Sequence, residues 1–130
     1  MRAILFKAKT LIGRELRMGS LIQSGNSAVI VNLGGNSIDA IEVDPDTVQQ
    51  MTNCYHNRRT VWEGDVFANP ARPDLRHTVY YDVVFDAFRV RYTDGNNRPK
   101  SEPLGLFLAS HPSFEYMGNI IDLTDNTDKP

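Results

Sequence analysis

The chain has 130 residues, of which 41% are hydrophobic and 23% charged, a balance that fits one ordinary domain or two small lobes and excludes a fibre or a disordered tail. Its net charge of −2 rules out the global basic field of an obligate nucleic-acid binder. The single cysteine, Cys54, cannot form an internal disulfide, so packing must supply the stability.

Charge is unevenly spread. From Met1 to Ser20 there are five Lys/Arg against the one acid Glu15, and from Ser101 to Pro130 five acids against Lys129. Such runs are most often solvated faces. Lys7 and Lys9 interrupt the apolar residues of the N-terminus, which therefore has no signal-peptide core, and no window reaches bilayer-spanning length. A cytoplasmic location without membrane attachment is expected.

In chain order, residues 2–10 read as a strand with partial alternation, and residues 16–23 as a second after a turn at Gly13. Turn clusters at Ser24–Ser27 and Gly34–Ser37 bracket the β-branched strand 28–33, and 38–43 follows as a weaker strand. Asp44 can cap a short helical turn with Pro45 at its first position, which predicts a short helix or extended turn over 44–54. Residues 55–60 read as a polar loop, and Asn53 and Asn57 suit left-handed backbone. In the second half, residues 60–69 read as a strand broken at Gly64, and 70–76 as a loop pinned by Pro70 and Pro73. Residues 77–85 and 87–94 read as a hairpin turning at Asp86-Ala87. There Phe88, Val90 and Tyr92 share one face and Arg89 and Arg91 the other. Residues 94–103 read as a solvent loop, 104–110 as an apolar segment of strand or helix, 114–123 as a final strand, and 125–130 as a frayed tail. Many short strands separated by Gly, Pro and Asn indicate a mainly β fold, a barrel or sandwich. The expected divisions are an N-terminal β-meander over 1–50, a connecting loop over 51–59, and a small barrel over 60–124.

The acidic pair Glu63 and Asp65 invites a catalytic or metal-binding reading, because alternate residues of a strand leave one face and paired carboxylates bind metals or share a proton. Both chemistries need a further partner, and no histidine stands at ligand spacing. The structural reading is preferred: Gly64 permits a bend, Asp65 accepts amide hydrogens there, and Val61, Trp62 and Val66 continue the core on either side. Cys54 and His56 could in principle be nucleophile and base, but no third group is supplied by spacing. His77 and His111 are too few and too distant for a recognisable zinc pattern. The Gly-rich stretch at Gly34 precedes a strand and not a helix, unlike a phosphate-binding loop. No catalytic residue, cofactor or metal is expected. The best candidate for binding chemistry is Arg58, Arg59, Arg72 and Arg76 near Trp62, Tyr80 and Tyr81, since cations beside aromatics suit phosphate contact and base stacking. The competing reading puts Trp62 in the core and pairs the arginines with Asp65, Asp74 and Asp82.

Five stretches together resemble the YopX family, small proteins found mainly in bacteriophages and prophages. They are ILFKAK near the start, EVDPDTVQQMT (Glu42–Thr52), VWEGDVF (Val61–Phe67), VVFDAFRV (Val83–Val90) and FEYMGNIID (Phe114–Asp122), in the family's order and spanning most of the chain. The chain departs from the pattern before Glu63, where the usual Asp-x-Asn-Gly turn is missing and Asn53 replaces a glycine. The resemblance implies an SH3-like barrel in the second half, structural roles for Glu63, Gly64, Asp65, Gly118 and Asn119, self-association, and no known reaction. The expected function is therefore a phage or prophage accessory protein, a non-enzymatic oligomeric interaction module with a phage or host protein partner. The alternative is a nucleic-acid-binding small β-barrel.

Overall fold

Alternating apolar residues and tight Gly/Asn turns produce a mainly β protein, and a computed structural model of the chain describes residues 4–34 and 37–127. The strands form two antiparallel sheets, and the chain divides into two units, Met1–Asn53 and Cys54–Pro130.

The first unit contains β1 (Phe6–Lys9), β2 (Leu16–Ser24), β3 (Ser27–Gly34), β4 (Ser37–Val43) and the start of β5 (Gln49–His56), ordered β4-β3-β2-β1-β5. Strand β2 changes partner part-way. Leu16 to Gly19 pair with β1, and Ser20 to Ser24 pair with β3. Gly19 stands at the change because a Cβ there would lie 2.4 Å from the Val31 carbonyl oxygen. The end of β4 meets the end of β1, with Thr10 bridging Val43 and the Asp44 amide donating to the Lys9 carbonyl at 2.8 Å. Ala8, Ala28, Ile30 and Val43 fill the inside of this curl, with Phe6, Leu21, Ile41 and Val48 packed around them. The Asp44 cap is present: its carboxylate accepts from the Asp46 amide at 3.0 Å, and Pro45 opens a single 3-10 turn over Pro45–Thr47.

The second unit takes the end of β5 together with β6 (Arg59–Trp62), then β7 (Asp65–Asn69), β8 (Arg72–Asp82), β9 (Ala87–Thr93), β10 (Pro99–Pro103), α1 (Leu104–Ser110), β11 (Glu115–Asn119) and α2 (Ile120–Thr127). Five of these strands form a sheet in the order β10-β9-β8-β7-β11. Its core is Val61, Phe67, Val79, Val90, Leu104, Phe107 and Phe114. Phe67 is fully buried, with ring centroids 5.1 Å from His56, 6.0 Å from Tyr116 and 6.3 Å from Phe107. As the alternation predicts, Phe88, Val90 and Tyr92 are the more buried face of β9 near the core, and Arg89 and Arg91 are its other face.

Several local expectations are corrected. The helix or loop expected across 44–60 is only the three-residue 3-10 turn, after which β5 runs to His56. Asn57 and Arg58 make the turn into β6 with φ of 50° and 67°, and Asn53 holds φ 65° within β5. The loop expected over 70–76 is a turn at Pro70-Ala71, since β8 begins at Arg72; Pro73 is accommodated within it. Val83, Val84 and Phe85 are turn and not strand, because the Asp82 carboxylate accepts the amides of Val84 at 2.9 Å and Phe85 at 3.3 Å. The solvent loop expected over 94–103 ends at Pro99, where β10 pairs with β9. Residues 104–110 are helical. The final strand stops at Asn119 and continues as α2 to Thr127, a helix in place of the start of the expected tail. Gly35, Asn36 and Asp128–Pro130, from the second turn cluster and the tail, lie outside the described residues. No described helix is long and apolar enough to cross a membrane.

Candidate functional site

The Glu63-Gly64-Asp65 turn is a structural knot. Gly64 adopts φ 87°, its amide donates to the Val79 carbonyl at 2.8 Å, and its own carbonyl accepts from the Ile120 amide at 2.9 Å. Asp65 is 1% exposed. Its carboxylate accepts from the Trp62 amide at 2.8 Å and from the Asn119 side-chain amide at 2.9 Å. Asn119, also 1% exposed, donates to the Glu63 carbonyl at 3.1 Å and accepts from the Ile121 amide at 3.0 Å, capping α2. Gly118 carries φ 127° at a register shift in the β11–β7 pairing, with Leu123 against it. The Asp65 carboxylate is thus committed to holding the turn.

Cys54 packs against the core of the second unit. His56 is 6% exposed, and its Nε2–H donates to the Phe114 carbonyl at 2.6 Å, which makes it a strut between β5 and the segment before β11. His77 lies among rings, 4.2 Å from Tyr92, 5.4 Å from Phe107 and 5.1 Å from Phe114, and its Nδ1–H donates to the Leu75 carbonyl at 3.0 Å. Burial lowers its pKa, the Leu75 carbonyl opposes that shift, His111 adds to it, and Glu102 opposes it. A histidine with a native pKa below its unfolded value binds fewer protons folded than unfolded. Its contribution to stability is fully present above the ordinary value of 6.5 and declines as pH falls from there through the lowered native value. Urea midpoints measured at pH 8 and pH 5 are expected to fall with acid, and His77→Phe is expected to flatten that fall.

The sequence-predicted arginines are not gathered on one strand. Arg58 and Arg59 belong to the β5–β6 hairpin, where the Arg59 guanidinium sits 3.7 Å over the Tyr116 ring. Arg72 forms an ion pair with Asp74 at 3.0 Å, which holds the Asp74 carboxyl below its usual range. Arg76 lies further along β8 and is exposed. Trp62 is 8% exposed and presents no face to a base, so it leaves the candidate binding set. Neither a family model nor a curated protein sequence matches the chain.

Two surfaces remain; sequence reasoning had not identified the first, and of the second it had named Arg76 and Tyr80 but not Arg89, Arg91 or Ser101. The first is in the first unit. Leu16, Met18 and Ile22 on β2 point outward at 49%, 45% and 58% exposure, and Ile38 on β4 at 73%. The register sets half-buried Val29 beside Ile22 and half-buried Val31 beside Ser20, with Ala40 next in that row. Glu42 is the one carboxylate in these rows of β2–β4, while Lys7 and Lys9 pair with Met18 and Leu16. A sheet covered on one side normally turns polar residues outward, so an apolar outer face is the informative exception.

The second surface is the face of β8–β9–β10 opposite the core. Register places Thr78, Arg91 and Ser101 in one row, and Tyr80 and Arg89 in the next. The Arg91 guanidinium lies 5.1 Å from the Tyr80 ring centre, Tyr80 and Ser101 share a hydroxyl hydrogen bond of 2.8 Å, and Arg89 donates to Ser101 at 3.0 Å. Among the described residues, Arg76, Arg89 and Arg91 have no carboxylate within ion-pair distance. The alternation of β9 had already separated Arg89 and Arg91 from the core; what it could not give was their registration with Ser101 and Tyr80.

Proposed function

We propose that the protein is a non-enzymatic interaction module that works as a homo-oligomer, a YopX-like accessory protein of a phage or prophage acting in the cytoplasm of the bacterial host. The observation that carries this reading is the apolar outer face of β2–β4, built from Leu16, Met18, Ile22, Val29, Val31 and Ile38. The apolar patch, edged by Lys7, Lys9 and Glu42, is complementary to another copy of itself, the arrangement of a two-fold interface. The knot at Glu63-Gly64-Asp65 supports the same reading, since its carboxylate is committed to holding the turn. The second unit is read as an SH3-like barrel, on the strength of five short antiparallel strands entered through that turn and interrupted by the short helix α1.

Self-association is tested by sedimentation equilibrium at concentrations on the order of tens of micromolar. The wild type is expected to be oligomeric. Met18→Asp with Ile22→Asp, both on exposed positions, is expected to yield a folded monomer. A wild type that stays monomeric across this range overturns the oligomer.

A further inference from the structure

We propose that the outer face of β8–β9–β10 binds single-stranded nucleic acid, with Arg76, Arg89 and Arg91 contacting phosphates and Phe85 stacking on a base. This inference goes beyond the self-association reading and does not depend on it.

Charge placement is the first support. The whole chain is net negative, yet this face gathers three guanidinium groups that have no carboxylate partner among the described residues. Four of the nearby acids have other work, while Asp86, beside Phe85, is exposed. Asp74 pairs with Arg72, Asp82 accepts the amides of its own turn, and Asp94 accepts from the Asn96 amide at 2.9 Å and the Arg98 amide at 3.0 Å. Glu102 pairs across from Val90 on the core-facing parity and lies 3.9 Å from His111.

Geometry is the second. Arg89 and Arg91 are alternate residues of one strand, so both leave the same face, and a β-strand spaces them by roughly 6–7 Å. Arg76, two residues before Thr78, shares the face with Thr78 and Tyr80 on the neighbouring strand. Ser101 anchors Arg89 through Nε, which leaves the terminal nitrogens of its guanidinium for an incoming oxygen. The row of donors suits a flexible backbone, and single strands are held by basic surfaces together with stacking.

Aromatic supply is the third. Phe85, at the tip of the β8–β9 turn, is 64% exposed, and the Arg89 guanidinium stands 4.6 Å from its ring. Exposed phenylalanine beside a basic row is the pairing that Trp62, being buried, cannot provide. Val83 and Val84 flank it at 82% and 89% exposure and add apolar surface at the same tip.

The test is fluorescence anisotropy of the full chain with labelled oligo(dT), oligo(U) and a DNA duplex, over a range of salt concentrations. Oligo(dT) or oligo(U) is expected to bind, more tightly than duplex, with affinity falling as salt rises. The triple variant Arg76→Gln, Arg89→Gln, Arg91→Gln is expected to bind tenfold or more weakly at low salt. Its log–log salt slope is expected to be shallower by about 2, at roughly 0.7 for each phosphate no longer neutralised. Phe85→Ala is expected to weaken binding by about fivefold or more. Arg17→Gln, a charge change on β2 of the first unit, is expected to leave affinity nearly unchanged. Circular dichroism and urea midpoints establish that each variant is folded. Absence of binding at low salt, a triple variant that binds like the wild type, or equal affinity for duplex and single strand overturns the proposal. Repeating the titration on the Met18→Asp, Ile22→Asp variant separates this outcome from that of self-association.

Discussion

Asn119→Asp is expected to destabilise the second unit by about 4 kcal/mol at pH 7, although it replaces one atom by another of the same size. The Asn119 amide donates at once to the Asp65 carboxylate and to the Glu63 carbonyl. An aspartate there keeps the acceptor that caps α2 through Ile121, but turns an oxygen toward two oxygens. Two carboxylates in a site whose residues are 1% exposed cannot both ionise cheaply, so the variant raises the pKa of the pair. A folded pKa above the unfolded value of about 3.9 contributes stability that is fully present below that value and lost as pH rises through the raised one. The gap to wild type is therefore expected to be widest at neutral pH and to narrow toward pH 4. Urea unfolding of both proteins at pH 7 and pH 4.5 measures it, and equal midpoints at pH 7 would mean that Asn119 does not hold the turn.

Phe67→Ala is the second large effect, with an expected loss of about 3–5 kcal/mol. Phe67 has no exposed surface, and its ring is met by His56, Tyr116 and Phe107, which come from β5, β11 and α1. These neighbours belong to separate elements tied down by their own hydrogen bonds, such as His56 to the Phe114 carbonyl, so they cannot close over the vacated volume. Phe85→Ala, the same chemical change at an exposed turn, is expected to shift stability by no more than about 0.5 kcal/mol. Comparing the two in thermal and urea unfolding tests whether burial sets the cost.

Much of the architecture could be read from local pattern because the determinants are local. The alternation of β9 follows from Phe88, Val90 and Tyr92, the cap from Asp44 and Pro45, and the left-handed backbone from Asn53 and Asn57. The parts that escaped depend on distant partners. Strand β10, Pro99–Pro103, has no apolar alternation and a proline at each end; it is a strand only because β9 offers it an edge. Helix α2 starts where Asn119 is fixed by a turn more than fifty residues earlier. Val83, Val84 and Phe85 continue a β-like run of apolar residues, and the Asp82 side chain overrides it. The arginines met the same limit. Linear proximity suggested Arg58, Arg59, Arg72 and Arg76 as a group, whereas alternation along β8 puts Arg76 on the face of Thr78 and Tyr80, which register with Arg91 and Arg89.

The knot at Asn119 also bears on how the protein is made. Glu63 and Asp65 leave the ribosome well before the residue that completes their turn, 56 and 54 positions later. Until β11 is released, β7 lacks one of its two neighbours and Asp65 lacks its amide donor. The second unit thus cannot finish ahead of its last strand, whereas the strands of the first unit need nothing beyond Met51 to pair. Synthesis produces a settled first half trailing an unfinished second one, and a chain cut short before Glu115 would present an open β7 edge for proteases and chaperones to act on.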